Sequence, residues 1–118
     1  MYIGEFCRLT GATPKAIRHY EALGLIPEAS RVGRYRVYDD TYAETVRQIR
    51  LGLRLGFSLA EFQQLTCGAD IRRGLPGDVL RKAVTQKLAD IEQQIAALNA
   101  KADEIKRISA QLHDQPCS

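Results

Sequence analysis

From Leu80 to Leu112 the chain runs for 33 residues without a glycine or proline, and its apolar residues recur at steps near three and four. Leu80, Val84, Leu88, Ile91, Ile95, Leu98, Ala102, Ile105 and Leu112 make the series, with one lapse at Ser109. Sustained over about four heptads, this pattern is the seam of a coiled coil. At about 1.5 Å per residue the helix would extend on the order of 50 Å. A helix that long cannot cover its own seam, and the rest of a 118-residue chain is a poor partner for all of it. A second copy is the economical solution. Each buried Leu or Ile would contribute roughly 1.5–3 kcal/mol, enough for an obligate homodimer if most are covered. Packing back on the same chain is the alternative.

Charge separates the rod from what precedes it. Residues 1 to 60 carry nine Lys or Arg against six acids, whereas residues 61 to 118 carry eight of each, so the whole net charge of +3 lies in the first half. Arg31, Arg34 and Arg36 fall within six positions. Such asymmetry favours a polyanion-binding head on a neutral partner segment, with a solvated basic surface as the plainer reading. Three cysteines (Cys7, Cys67 and Cys117) without CxxC spacing argue against a disulfide framework and for a reducing cytosol. There is no signal peptide, and no apolar run approaches about 18 residues, so a soluble cytoplasmic protein that avoids membranes is expected.

The head opens with Ile3, Phe6, Cys7 and Leu9 at roughly helical spacing, interrupted by Thr10-Gly11-Ala12. A second helix follows, with Thr13 as N-cap and Pro14 at its first position, and it stops at Gly24. Two short helices joined by a glycine-containing turn read as a helix-turn-helix, whose second helix meets base edges in the major groove. Lys15, Arg18 and His19 stand at i, i+3 and i+4 and share one face, while Ile17 and Tyr20 point toward the first helix. A charged solvent face is the alternative for a helix standing alone. Here, however, RVGRYRVY (31 to 38) alternates basic with apolar or aromatic residues around a hairpin tip at Gly33. A basic hairpin beside a helix-turn-helix makes a wing, with Arg34 and Arg36 placed for phosphates or a minor groove. Tyr35 and Tyr38 fit either DNA contact or the core.

Asp39 or Asp40 then caps a helix of about residues 41 to 55, with Val46, Ile49, Leu53 and Tyr42 as its apolar stripe. Ser58 and Glu61 form a Ser-x-x-Glu capping box that opens a shorter helix. Arg47, Arg50 and Arg54 recur on one side of the longer helix, as a solvated face or as a second backbone contact. The resulting organisation is a DNA-binding head (1–66), a connecting loop (67–77), a dimerisation helix (78–113) and a flexible tail (114–118).

In this order the elements resemble the MerR family of bacterial transcriptional regulators. The matching residues are the run from Ile3 to Pro27, then Gly33-Arg-Tyr-Arg-Val-Tyr38, Leu55-Gly-Phe-Ser-Leu-Ala-Glu-Phe62 and the long helix. The run Ile17-Arg18-x-Tyr20-Glu21-x-x-Gly24-Leu25 is the most specific of these. The resemblance implies a mainly α fold: a winged helix-turn-helix head and a long C-terminal helix pairing as an antiparallel coiled coil. It implies a homodimer on double-stranded DNA at an inverted-repeat promoter site. A family activator kinks and untwists the promoter in response to a signal, and RNA polymerase then engages both promoter elements on the shared DNA. Lys15 and Arg18 would face the major groove, with His19 at its edge and Tyr20 on a phosphate. Arg34, Tyr35 and Arg36 would form the wing, with Tyr38 supporting it. With Thr13 and Arg31 these residues complete the expected DNA-binding set.

Metal-sensing members carry a Cys or Ser at the start of the dimerisation helix and a Cys-containing loop after it. Here those places read Leu75-Pro-Gly-Asp-Val79 and His113-Asp-Gln-Pro-Cys-Ser118, so a short member with no metal site and no evident cofactor is expected. Effector or thiol sensing would fall to Cys67, near Arg72 and Arg73, or to Cys117. An architectural DNA-binding protein without effector, and a coiled-coil interaction module, are the competing functions. An enzyme is not expected, because His19 and His113 lack any nucleophile or carboxylate constellation.

Overall fold

The computed structural model describes residues 1–66, 72 and 74–114. The chain divides into two compact units, Met1–Leu80 and Arg81–Ser118. The first contains α1 (Ile3–Thr10), α2 (Pro14–Ala22), the strands β1 (Ser30–Val32) and β2 (Tyr35–Val37), α3 (Ala43–Arg54) and α4 (Leu59–Thr66). Helix α5 (Gly77–Asp114) begins in the first unit and makes up the described part of the second.

Local chemistry sets most of the boundaries. Helix α1 ends at Gly11, whose φ of 74° lets its N–H reach the Cys7 carbonyl at 2.7 Å. Thr13 caps α2 by accepting from the Ala16 N–H at 3.1 Å, with Pro14 in the first turn. Strands β1 and β2 pair antiparallel with Ser30 opposite Val37, Arg31 opposite Arg36 and Val32 opposite Tyr35. That register leaves a two-residue turn, and Gly33 supplies the positive φ such a turn demands. Asp39 Oδ1 accepts from both the N–H and the hydroxyl of Thr41, which tightens Asp40–Tyr42 into a 3₁₀ turn. Helix α3 therefore starts at Ala43 rather than Thr41. Both arms of the capping box form at α4: the Ser58 N–H donates to Glu61 Oε1 (3.1 Å) and the Glu61 N–H to Ser58 Oγ (3.0 Å).

The core of the first unit lies where α1, α2 and α3 meet, around Phe6, Ile17, Leu25, Val46 and Ile49. Tyr38 closes it from the wing side, its ring stacked on Phe6 at 4.9 Å. The apolar stripe of α3 departs from expectation. Leu53 is exposed, and Gly52 is buried in its place, against the ring of Phe62 from α4. A helix surface without a side chain lets the two helices approach closely. After the segment that follows α4, the Gly74 N–H donates to Thr45 Oγ1 (3.2 Å) and the Leu75 N–H to Gln48 Oε1 (2.8 Å). These bonds pin the entry to α5 onto α3, and Leu75 and Leu80 add apolar contact with the core.

In the second unit α5 is one helix to Asp114, and none of its described residues is buried. Val84, Leu88, Ile91, Ile95, Leu98, Ile105 and Leu112 are exposed. Ile108, outside the expected series, is exposed beside the lapse at Ser109 and extends the apolar stripe. No helix among the described residues is long and apolar enough to cross a membrane.

Candidate nucleic-acid interface

Helix α2 has two faces. Ile17 and Tyr20 are buried in the core, while Lys15, Arg18 and His19 are all exposed, as their spacing dictates. Arg18 lies along its own helix, its Nε donating to the Pro14 carbonyl at 3.3 Å. The N-terminus of α2 faces outward at Thr13 and Pro14, both exposed. An exposed helix start lined by cations suits a phosphate-flanked groove.

The wing carries the second cationic group. Arg31 and Arg34 are exposed, and Tyr35, 65% exposed, leans on the half-exposed Tyr2 with ring centroids 5.6 Å apart. Tyr2 also bridges to Val37, and the Tyr38 N–H donates to the Met1 carbonyl at 2.7 Å. The start of the chain thus runs along β2 as an extra edge of the hairpin.

Three residues of the expected set make contacts within the head. Tyr20 is only 4% exposed, and burial pushes its phenol up in pKa while Arg50 pulls the other way. It lines a shallow cleft of about 290 Å³ with Arg47, Arg50, Leu51, Leu53 and Arg54. Tyr38 is equally buried, and its hydroxyl lies within reach of Glu21 and Arg36 without making a hydrogen bond of good geometry to either. Burial first, then the Glu21 carboxylate, raises its pKa. Arg36 turns inward to Glu21 of α2, with Nη1 3.3 Å from Oε2. The Tyr38 hydroxyl first, then the Glu21 carboxylate, favours its charged form.

Arg47 and Arg50 have a role that neither sequence reading contained. Arg47 Nε and Nη2 donate to the Leu9 carbonyl at 3.2 and 2.8 Å, and Arg50 Nη1 donates to the Thr10 carbonyl at 3.1 Å. They satisfy the last carbonyls of α1 and place positive charge at its C-terminal dipole. The helix-turn-helix is thereby held onto α3 at its turn. Burial pushes the Cys7 thiol up, with Arg18 opposing, and Cys7 packs against the core. Cys67 and Cys117 lie outside the described residues. Among the described residues no three His, Cys, Asp or Glu gather to hold a metal.

A basic helix-turn-helix with a basic β-hairpin beside it and an unburied apolar rod after it defines a class: winged helix-turn-helix DNA-binding proteins. Comparison with known proteins narrows the class. Residues 2–38 match the model of the MerR family regulatory protein, and residues 43–108 match that of MerR, DNA binding. The HTH-type transcriptional regulator HmrR of Sinorhizobium medicae is 34% identical over 114 residues, covering 96% of this chain and 77% of that protein. The heavy metal-dependent transcription regulator 2 of Rhizobium meliloti is 34% identical over 119 residues, covering 98% and 80%. The HTH-type transcriptional regulator CueR of Salmonella typhi is 32% identical over 106 residues, covering 89% and 76%. The chain belongs to the MerR family of DNA-binding transcriptional regulators, and is a regulator rather than an enzyme.

Proposed function

We propose that two copies join along α5 as an antiparallel coiled coil and present their heads to the two halves of an inverted repeat within a promoter. The exposed stripe on α5 carries this reading. From Val84 to Leu112 it leaves eight large apolar side chains 37–65% exposed along one helix, a surface that water alone does not favour. The partner rod sets the distance between heads, and that distance selects half-sites on one face of the duplex.

In each half-site the start of α2 enters the major groove, where Lys15 and Arg18 meet bases and phosphates and His19 lies at the edge. Arg31, Arg34 and Tyr35 of the wing hold the flanking backbone. Tyr20 and Tyr38 support these faces from beneath. The protein acts in the cytoplasm as an activator: a signal shifts the heads, the spacer between half-sites is kinked and untwisted, and RNA polymerase engages the shared promoter. Contacts at both ends offset the deformation energy of the spacer. Cys67 and Cys117 are the thiols through which a thiol-reactive signal would act.

Ile95→Asp tests the assembly. Sedimentation velocity at micromolar concentration should show a dimer for the unaltered chain and a monomer for the variant, because a carboxylate facing a closed apolar seam is not paired. The variant should also lose binding to an inverted-repeat duplex. A monomeric unaltered chain, or a variant that still binds as a pair, refutes the reading.

A further inference from the structure

The wing and α2 are separate elements that must meet DNA together, yet among the described residues no backbone hydrogen bond joins them. One side-chain pair does. Glu21 sits on α2 three residues beyond Arg18, its side chain only 7% exposed, and its Oε2 lies 3.3 Å from Nη1 of Arg36 on β2. Its other oxygen and the Tyr38 hydroxyl are buried beside it, neither in a hydrogen bond of good geometry, and the hydroxyl lies within reach of both members of the pair. A carboxylate so withdrawn from water depends on its one cation, and it cannot attract phosphate itself.

Arg31, directly opposite Arg36 in the hairpin, stays exposed, whereas Arg36, its side chain 34% exposed, leans toward Glu21, so that lean is not the habit of the whole wing. We infer that Arg36 and Glu21 are positioning residues, a strap that fixes the wing against the DNA-reading helix so that both reach DNA in one geometry. This rests on the DNA-binding reading above. It assigns Arg36 to discrimination between sequences and leaves phosphate attraction to Arg31 and Arg34. A phosphate contact shows itself in the salt dependence of binding; a strap does not.

The test uses the full chain, a duplex enriched from a random pool and a scrambled duplex, titrated by fluorescence anisotropy over a series of salt concentrations. For Arg34→Ala the slope of log K against log salt should shrink by about one, the signature of a lost phosphate contact. For Arg36→Ala the slope should stay unchanged while preference for the enriched duplex falls about tenfold, a size usual for coupled neighbours. Glu21→Gln should do the same, although it removes no cation, and the double variant should be no worse than either single one. Thermal melting accompanies each variant, and Glu21→Gln, nearly isosteric, decides the matter if Arg36→Ala fails to fold. A reduced slope for Arg36→Ala, unaltered preference in Glu21→Gln, or additive losses in the double variant would each overturn the strap. An unaltered chain with no preference for any duplex would instead remove the DNA-binding reading, and the strap with it.

Discussion

At the scale of single residues the head depends on atoms that a hydropathy pattern does not weigh. Gly52 is the clearest. A Cβ there would collide with the ring of Phe62, so Gly52→Ala should overpack the α3–α4 contact by about 1–3 kcal/mol, outweighing the roughly 1 kcal/mol by which alanine favours a helix. Urea unfolding followed by circular dichroism measures this; a stabilised variant would mean that the two helices are not packed as described. Tyr38 makes the opposite case. Its ring stacks on Phe6 while its buried hydroxyl makes no hydrogen bond of good geometry, so Tyr38→Phe should change stability by less than about 1 kcal/mol, whereas Tyr38→Ala should cost about 3–5 kcal/mol. DNA affinity should be unaltered in the Phe variant, and a marked loss there would return the hydroxyl to the DNA face.

At the scale of elements, what could be read in advance was whatever chemistry is local. Thr13 before Pro14, Ser58 three residues before Glu61, and Gly33 between alternating runs each satisfy backbone groups within a few positions, and each forms as expected. Ser58→Ala should cost about 1 kcal/mol by removing the acceptor for the Glu61 N–H. A melting temperature equal to that of the unaltered chain would deny the cap any role. Long-range partnerships were not legible. Arg47 looked like a surface charge because the Leu9 carbonyl it caps is 38 residues away, and Arg36 looked like a wing cation because Glu21 lies 15 residues earlier. The apolar pattern puts Leu53 in the stripe of α3, yet Gly52 is the residue buried there, against Phe62 of α4, and Leu53 is exposed. The alternation around Tyr35 and Tyr38 could not say which ring faces water; the register and Phe6 decide it.

At the scale of the whole molecule, the C-terminal helix was visible from periodicity, because an uninterrupted apolar series at helical spacing permits little else. In the proposed dimer a second copy covers that series. The division of labour follows from charge: the excess of cations lies within residues 1 to 60, and the second half is balanced. In the proposed dimer a neutral rod would pair without repulsion, and a cationic head on each end would meet DNA. The account turns on both heads binding one duplex at a spacing set by the rods. Enrichment of the purified chain's targets from a random duplex pool, followed by native mass measurement of the complex, tests this most directly. The account predicts an inverted repeat of constant spacing carrying two chains; a lone half-site carrying one chain would contradict it.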